Sequence, residues 1–133
     1  MRSPVMLCLL ALVAVGCRAG ADSPRGVAER FLDAHYVLMD LEGAKRYCTG
    51  LALAKVDEEL QLVGTQVIDE STRRPHVSYE LSEERVEAEG RSTLVYNGSV
   101  RVSGGDTFAM RWLINTRRDG DGTWQVSNFK EFQ

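Results

Sequence analysis

The chain has 133 residues, a formal net charge of −3, 44% hydrophobic and 26% charged residues. Its basic residues stand singly or in pairs (Lys45-Arg46, Arg73-Arg74, Arg117-Arg118), so the clustered cationic footprint of a nucleic-acid binder is missing and no nucleic-acid partner is expected. Two histidines and three cysteines scattered along the chain do not make a transition-metal ligand set of usual spacing, and no metal or other cofactor is expected.

Arg2 precedes an unbroken apolar run over residues 5–15. That suits the apolar region of a signal peptide and falls short of the roughly 20 residues a membrane-spanning helix needs. Residues 1–16 therefore read as a signal peptide. Two cuts fit: Ala14-Val15-Gly16-Cys17 resembles the bacterial lipobox, with Ala14 where leucine is usual, and Ala19-Gly20-Ala21 fits ordinary signal peptidase. The preferred reading makes Cys17 the lipid-attachment residue and residues 17–23 a lipidated tether. Membrane attachment through several acyl chains would be permanent, because each buried methylene contributes about 0.8 kcal/mol. Arg18 in place of aspartate directs the protein to the periplasmic face of the outer membrane; the alternative is a soluble secreted protein cut after Ala21. Cys8 leaves with the signal and Cys17 carries lipid, which leaves Cys48 without an intramolecular disulfide partner. The mature chain of about 115 residues is one ordinary domain, residues 24–133, long enough to bury a core without staples.

The domain opens at Ser23-Pro24, an N-cap followed by a favoured first helical residue. Val27, Ala28, Phe31, Leu32, His35, Leu38 and Met39 recur at three- and four-residue spacing and predict one amphipathic helix. Asp40-Leu41-Glu42-Gly43 interrupts it, and Ala44, Tyr47 and Cys48 mark a short second helix. Thr49 caps a third, with Leu53, Val56, Leu60 and Val63 on its apolar stripe, Lys55, Asp57, Glu58 and Glu59 opposite, and Gly64 at its end.

The period then changes to two. Val77, Tyr79 and Leu81 predict one strand; Val86, Ala88, Ser92, Leu94 and Tyr96 predict a second. Asn97-Gly98 is a strong hairpin signal, since a type I′ turn needs positive φ at both central residues, and it should return the chain through Val100 and Val102. The same turn accounts for Asn97-Gly98-Ser99 better than a glycosylation acceptor does. Gly104-Gly105 reads as a bulge or bend, Phe108, Met110, Trp112 and Ile114 share a strand face, and Asp119-Gly120-Asp121-Gly122 turns into a last strand from Trp124 to Phe132. The acidic turn begins like a calcium loop, but Trp124 stands where glycine is required and Lys130 where glutamate is, so the motif fails. The fold class is α+β: N-terminal helices packed on a curved antiparallel meander sheet.

Phe31-Leu32-Asp33-Ala34, Asp40-Leu41-Glu42-Gly43-Ala44 and the closing run from Asp121 to Phe129 resemble the first helix, acidic linker and terminal strand of the nuclear transport factor two-like superfamily. This is the cone-shaped, cystatin-like α+β fold that also holds ketosteroid isomerase, polyketide cyclases and small bacterial lipoproteins. The resemblance covers most of residues 24–133. It implies a cone between the first helix and the sheet, and for an active member an aspartate base facing a tyrosine and a protonated acid. Asp33 and Asp40 fall near a helix end, Tyr36, Tyr47, Tyr79 and Tyr96 all read as core aromatics, and the catalytic set cannot be assembled from the sequence.

The cone wall is expected to comprise His35, Tyr79, Leu94, Tyr96, Met110, Trp112 and Asn128, an apolar surface with a few polar groups. His35 reads first as a hydrogen-bonded histidine at the rim of the helix, and His76, after Pro75, as exposed. Asn128 is the candidate for orienting a ligand, because a polar side chain among apolar neighbours must be hydrogen-bonded. No catalytic residue is assigned. The leading expectation is a non-catalytic module that takes a small apolar ligand in its cone or a protein partner on its sheet, with a homodimer through the sheet as one arrangement. The alternative is a small pocket enzyme of ketosteroid isomerase or polyketide cyclase type.

Overall fold

The computed structural model describes residues 23–64 and 74–133. The signal peptide, Cys17, the rest of the tether up to Asp22 and the cut after Ala21 lie outside the described residues. Helix α1 spans Pro24–Leu32 and runs directly into a π-helical segment, Asp33–Val37; α2 spans Leu41–Lys45 and α3 Gly50–Val63. Four strands follow, β1 His76–Ala88, β2 Arg91–Arg101, β3 Thr107–Arg118 and β4 Trp124–Phe132. They form one antiparallel meander in chain order, with the helices on its inner face.

Ser23 caps α1 by accepting a bond from the Gly26 amide at 2.9 Å, and the expected stripe of Val27, Ala28, Phe31 and Leu32 is buried. The helix does not continue at 3.6 residues per turn. The Leu38 amide donates to the Asp33 carbonyl, five residues back, at 2.8 Å, and the Asp40 amide donates to Ala34 at 2.7 Å. Met39 closes the turn with a φ of 53°, a left-handed conformation costly for a residue with a Cβ. The Asp40 carboxylate then caps α2 through the Gly43 amide at 2.9 Å. Backbone bonds from Thr49 to the Val126 carbonyl at 2.9 Å and from Val126 to the Tyr47 carbonyl at 2.7 Å stitch the α2–α3 connection to β4.

The core face of the sheet carries Leu94 and Tyr96 on β2, Trp112 and Ile114 on β3, and Val126 and Phe129 on β4. Register places Leu94 opposite Ile114 and Tyr96 opposite Trp112. Trp112 faces the helices, as its parity predicts, and Tyr36 packs against it with ring centroids 5.4 Å apart.

Three expectations are corrected. The strand expected over residues 86–96 is two strands with a hairpin at Glu89-Gly90, where Gly90 takes a φ of 71°. A two-residue turn preserves parity, so Val86, Ala88, Ser92 and Leu94 look continuous by alternation alone. Val86 is 74% exposed, beyond the reach of the helices.

Asn97-Gly98 is no hairpin: both residues lie inside β2, opposite Arg111 and Met110. The return is made at residues 102–106, where Gly105 donates to the Val102 carbonyl at 3.0 Å. Glycine is needed at 98 for space. A Cβ there would overlap the Ser78 carbonyl oxygen and lie 2.7 Å from the Trp112 ring, so the glycine lets the indole lie flat on the sheet. Finally, Lys55 and Glu59 on α3 turn inward to β4 and His35 instead of lining a solvated face.

Candidate functional site

An open cavity of about 900 Å³ lies between the end of the first helix, α3 and the inner face of the sheet. That is within the range of small-molecule sites. Its apolar wall comes from Leu41 and Leu60 on the helices and Val77, Val100, Phe108 and Met110 on the strands. The polar groups cluster on one side: His35 and Tyr36 from the π-helical segment, Glu59 from α3, Trp112 from β3 and Glu131 from β4.

The π-helical turn builds this cluster. At α-helical spacing Tyr36 would rotate away from the stripe that contains His35. The extra residue in the turn brings both rings to the same side, with centroids 4.1 Å apart. Such turns inside helices often accompany functional sites. His35 is 7% exposed, and its Nε2 lies 3.0 Å and 2.8 Å from the two carboxylate oxygens of Glu59. This pairing assigns the proton of a neutral ring to Nε2 and leaves the lone pair on Nδ1.

Nδ1 has no hydrogen-bond partner, and the Tyr36 hydroxyl and the Trp112 indole Nε1 form no hydrogen bond of good geometry, although all three atoms are buried. Burial, reinforced by the charge and hydrogen-bonding pull of the Glu131 carboxylate and by the charge of Glu59, pushes the Tyr36 phenol far above its ordinary range, and the Trp112 indole N–H, near the same oxygen, opposes the shift. Unpartnered buried polar atoms cost about 1–3 kcal/mol each. The three atoms lie just behind the cavity wall, without accessible surface of their own. Among the described residues no three His, Cys, Asp or Glu side chains come together as a metal ligand set.

The expected wall is divided. His35, Met110 and Trp112 line the cavity. Leu94 and Tyr96 are fully buried in the core beneath it. Tyr79 lies across the sheet on β1, donating to an Asp33 carboxylate oxygen at 2.6 Å and packing edge-on against Tyr96 at 5.6 Å. Asn128 does not line the cavity; its side-chain oxygen accepts a bond from Lys55 Nζ at 2.7 Å, and the same ammonium binds the Phe129 carbonyl at 2.7 Å. Its polar group is thus satisfied by α3, with no ligand required.

Tyr36, Glu59 and Glu131 were not expected on the wall. A π-helical turn has no signature in hydrophobic periodicity, which hides Tyr36. Glu131 could have been found by parity: it pairs with Trp112 and so shares its inward face.

No family model matches the sequence, and no curated protein does. Solved structures show the fold. A protein described as a calcium/calmodulin-dependent protein kinase type II association domain, from Thiobacillus denitrificans, superposes with a TM-score of 0.59 at 12% identity, over 84% of this chain and 96% of that one. A ketosteroid isomerase-like protein from Erwinia carotovora atroseptica gives 0.53 at 15% identity, over 79% and 88%. A nuclear transport factor two-like protein of unknown function from Pseudomonas putida gives 0.51 at 18%, over 80% and 81%. The chain has the nuclear transport factor two-like cone fold, helices on a four-stranded open antiparallel sheet.

Proposed function

We propose that this is an exported, lipid-anchored protein whose domain holds a small, mainly apolar molecule with one polar end. The observation that supports it most is the set of three buried polar atoms without a well-formed hydrogen bond, His35 Nδ1, Tyr36 Oη and Trp112 Nε1, just behind the wall of a cavity that also has a broad apolar side. Buried polar atoms of native proteins are nearly always partnered, and a side-chain shift that opened these atoms to the cavity would let a ligand hydroxyl accept from the indole while donating to Nδ1.

Titration with octan-1-ol by calorimetry tests the pocket. The wild type should bind saturably, and Val100→Phe, which adds a ring to the cavity wall, should weaken binding at least tenfold with the fold retained. Equal binding by both proteins, or none by either, would remove the pocket reading. Attachment is tested separately. Cys17→Ser should abolish palmitate labelling and move the protein from the membrane pellet to the soluble fraction; unchanged labelling, or a mature chain beginning at Asp22, would leave the lipid anchor without support.

One observation favours a second reading, a small pocket enzyme. His35, oriented by Glu59 through Nε2, turns its other ring nitrogen, Nδ1, toward the side of a tyrosine, and in a neutral ring that nitrogen is the basic one, the arrangement of a general base near a hydrogen-bond donor. If proton transfer is the function, His35→Gln should abolish exchange of an acidic ligand proton with deuterated solvent while ligand affinity persists.

A further inference from the structure

The charge of the cavity wall narrows the chemistry of the ligand, on the premise that the cavity binds one. Four carboxylates line it, Asp40, Glu42, Glu59 and Glu131, against a single cationic side chain, Arg74, among the described residues. Two already have work within the fold: Asp40 caps α2 and Glu59 orients His35. Glu42 stands in the first turn of α2 at the rim. Glu131 is different. It lies directly across from Trp112 on the inward face of an edge strand and forms no ion pair with any described residue.

Sheet parity turns Glu131 toward the helices, where its charge acts on Tyr36. Glu131 is exposed at the cavity rim, and a solvated carboxylate close to the Tyr36 hydroxyl offers an incoming cation a counter-ion beside an aromatic ring.

We propose that the site takes amphiphilic amines, molecules with an apolar body and a protonated nitrogen, for which Glu131 is the counter-ion. The ammonium group would donate to the Glu131 carboxylate at the rim and lie against Tyr36. The alkyl or aryl body would extend along Val100, Met110 and Leu60. A carboxylate or phosphate head would meet the same glutamates as like charges and be rejected.

The test is a matched series of one apolar body and three heads, octylamine, octan-1-ol and octanoate, titrated into the full chain by calorimetry at neutral pH. Octylamine should bind at least tenfold more tightly than octan-1-ol, and octanoate should bind more weakly than either. Glu131→Gln should abolish the preference for the amine while octan-1-ol affinity stays within threefold. Glu89→Gln, which removes the same charge at the distant β1–β2 turn, should keep it. Saturable octan-1-ol binding with no advantage for the amine, or an advantage that survives Glu131→Gln, would overturn the amine assignment and leave the pocket standing. Failure of all three to bind would remove the pocket and the assignment together.

Discussion

Gly98 carries a prediction that separates the structure from the hairpin its sequence suggests. In an ordinary strand, replacing glycine by alanine gains roughly 0.5–1 kcal/mol, since glycine loses more backbone freedom on folding. Here the added methyl would overlap the Ser78 carbonyl oxygen, lie 2.7 Å from Trp112 Cζ3 and 3.0 Å from Tyr79 Cα. Two of these three neighbours belong to the backbone of β1, so the methyl must either part β1 from β2 or lift the buried indole. Overpacking a rigid core costs about 1–3 kcal/mol, and a backbone clash places Gly98→Ala at the upper end, about 3 kcal/mol. In thermal unfolding that is a fall of about 12 °C or more. A type I′ turn would also resist alanine at this position, so the neighbouring residue decides between the two accounts. Asn97 is an exposed strand residue opposite Arg111, and Asn97→Val should be neutral or slightly stabilising. A turn would lose stability with it. If urea unfolding shows Asn97→Val to cost as much as Gly98→Ala, β2 does not run through this point and the register around Trp112 is wrong.

Other outcomes follow from burial. Trp112→Ala should cost about 3–5 kcal/mol in urea unfolding, because the side chain is wholly buried opposite Tyr96; a loss under about 1 kcal/mol would put that face of β3 outside the core. Tyr36, Tyr79 and Tyr96 are all held above the ordinary phenol range, chiefly by burial. Groups whose folded pKa is raised stabilise the fold fully below the unfolded value and lose that contribution above it, so stability should fall from about pH 10 upward, by about 1.4 kcal/mol per pH unit for each phenol that stays protonated in the fold, less for the half-exposed Tyr79. Phenolate absorbance from these three residues should then rise together with the loss of circular dichroism; ionisation well before unfolding would contradict their burial. Cys48 donates its thiol hydrogen to the Ala44 carbonyl at 3.3 Å, and burial first, then the charges of Glu59 and Asp57, push it up to about 12. Iodoacetamide should leave the Cys48 peptide unmodified in the native protein and label it in urea.

The layering of the fold was legible because its signals are periodic. The Ser23-Pro24 start, the Val27–Leu32 stripe and the inward parity of Trp112 and Ile114 each follow from one local rule with a large burial term behind it. The turns were harder. Asn97-Gly98 satisfies every local preference of a type I′ turn, yet the space demanded by a tryptophan one strand away decides its structure, and a rule confined to four residues cannot register that. The Glu89-Gly90 turn was hidden for the opposite reason, since it leaves the alternation undisturbed.

Of the cavity, His35, Met110 and Trp112 were readable as inward residues on a stripe or a strand face. Tyr36 depends on a change of helical pitch at Asp33 that composition does not encode. Asn128 was singled out correctly as a polar side chain in need of a partner, but that partner is Lys55, 73 positions earlier on a helix face expected to be solvated.

The central claim, that the wall formed by His35, Tyr36 and Trp112 receives a ligand, has a direct spectroscopic reporter. The chain contains two tryptophans. The Trp112 indole N–H is buried without a well-formed hydrogen bond, near the Tyr36 hydroxyl, while Trp124 lies outside the cavity on β4, beneath the Arg118 guanidinium. In a nitrogen–proton correlation spectrum of the labelled protein titrated with octan-1-ol, the Trp112 indole signal should move downfield and saturate as it gains an acceptor, with the Trp124 signal unchanged. A Trp112 signal that stays in place at saturating alcohol, or two indole signals that drift together without saturation, would contradict a ligand site at this wall.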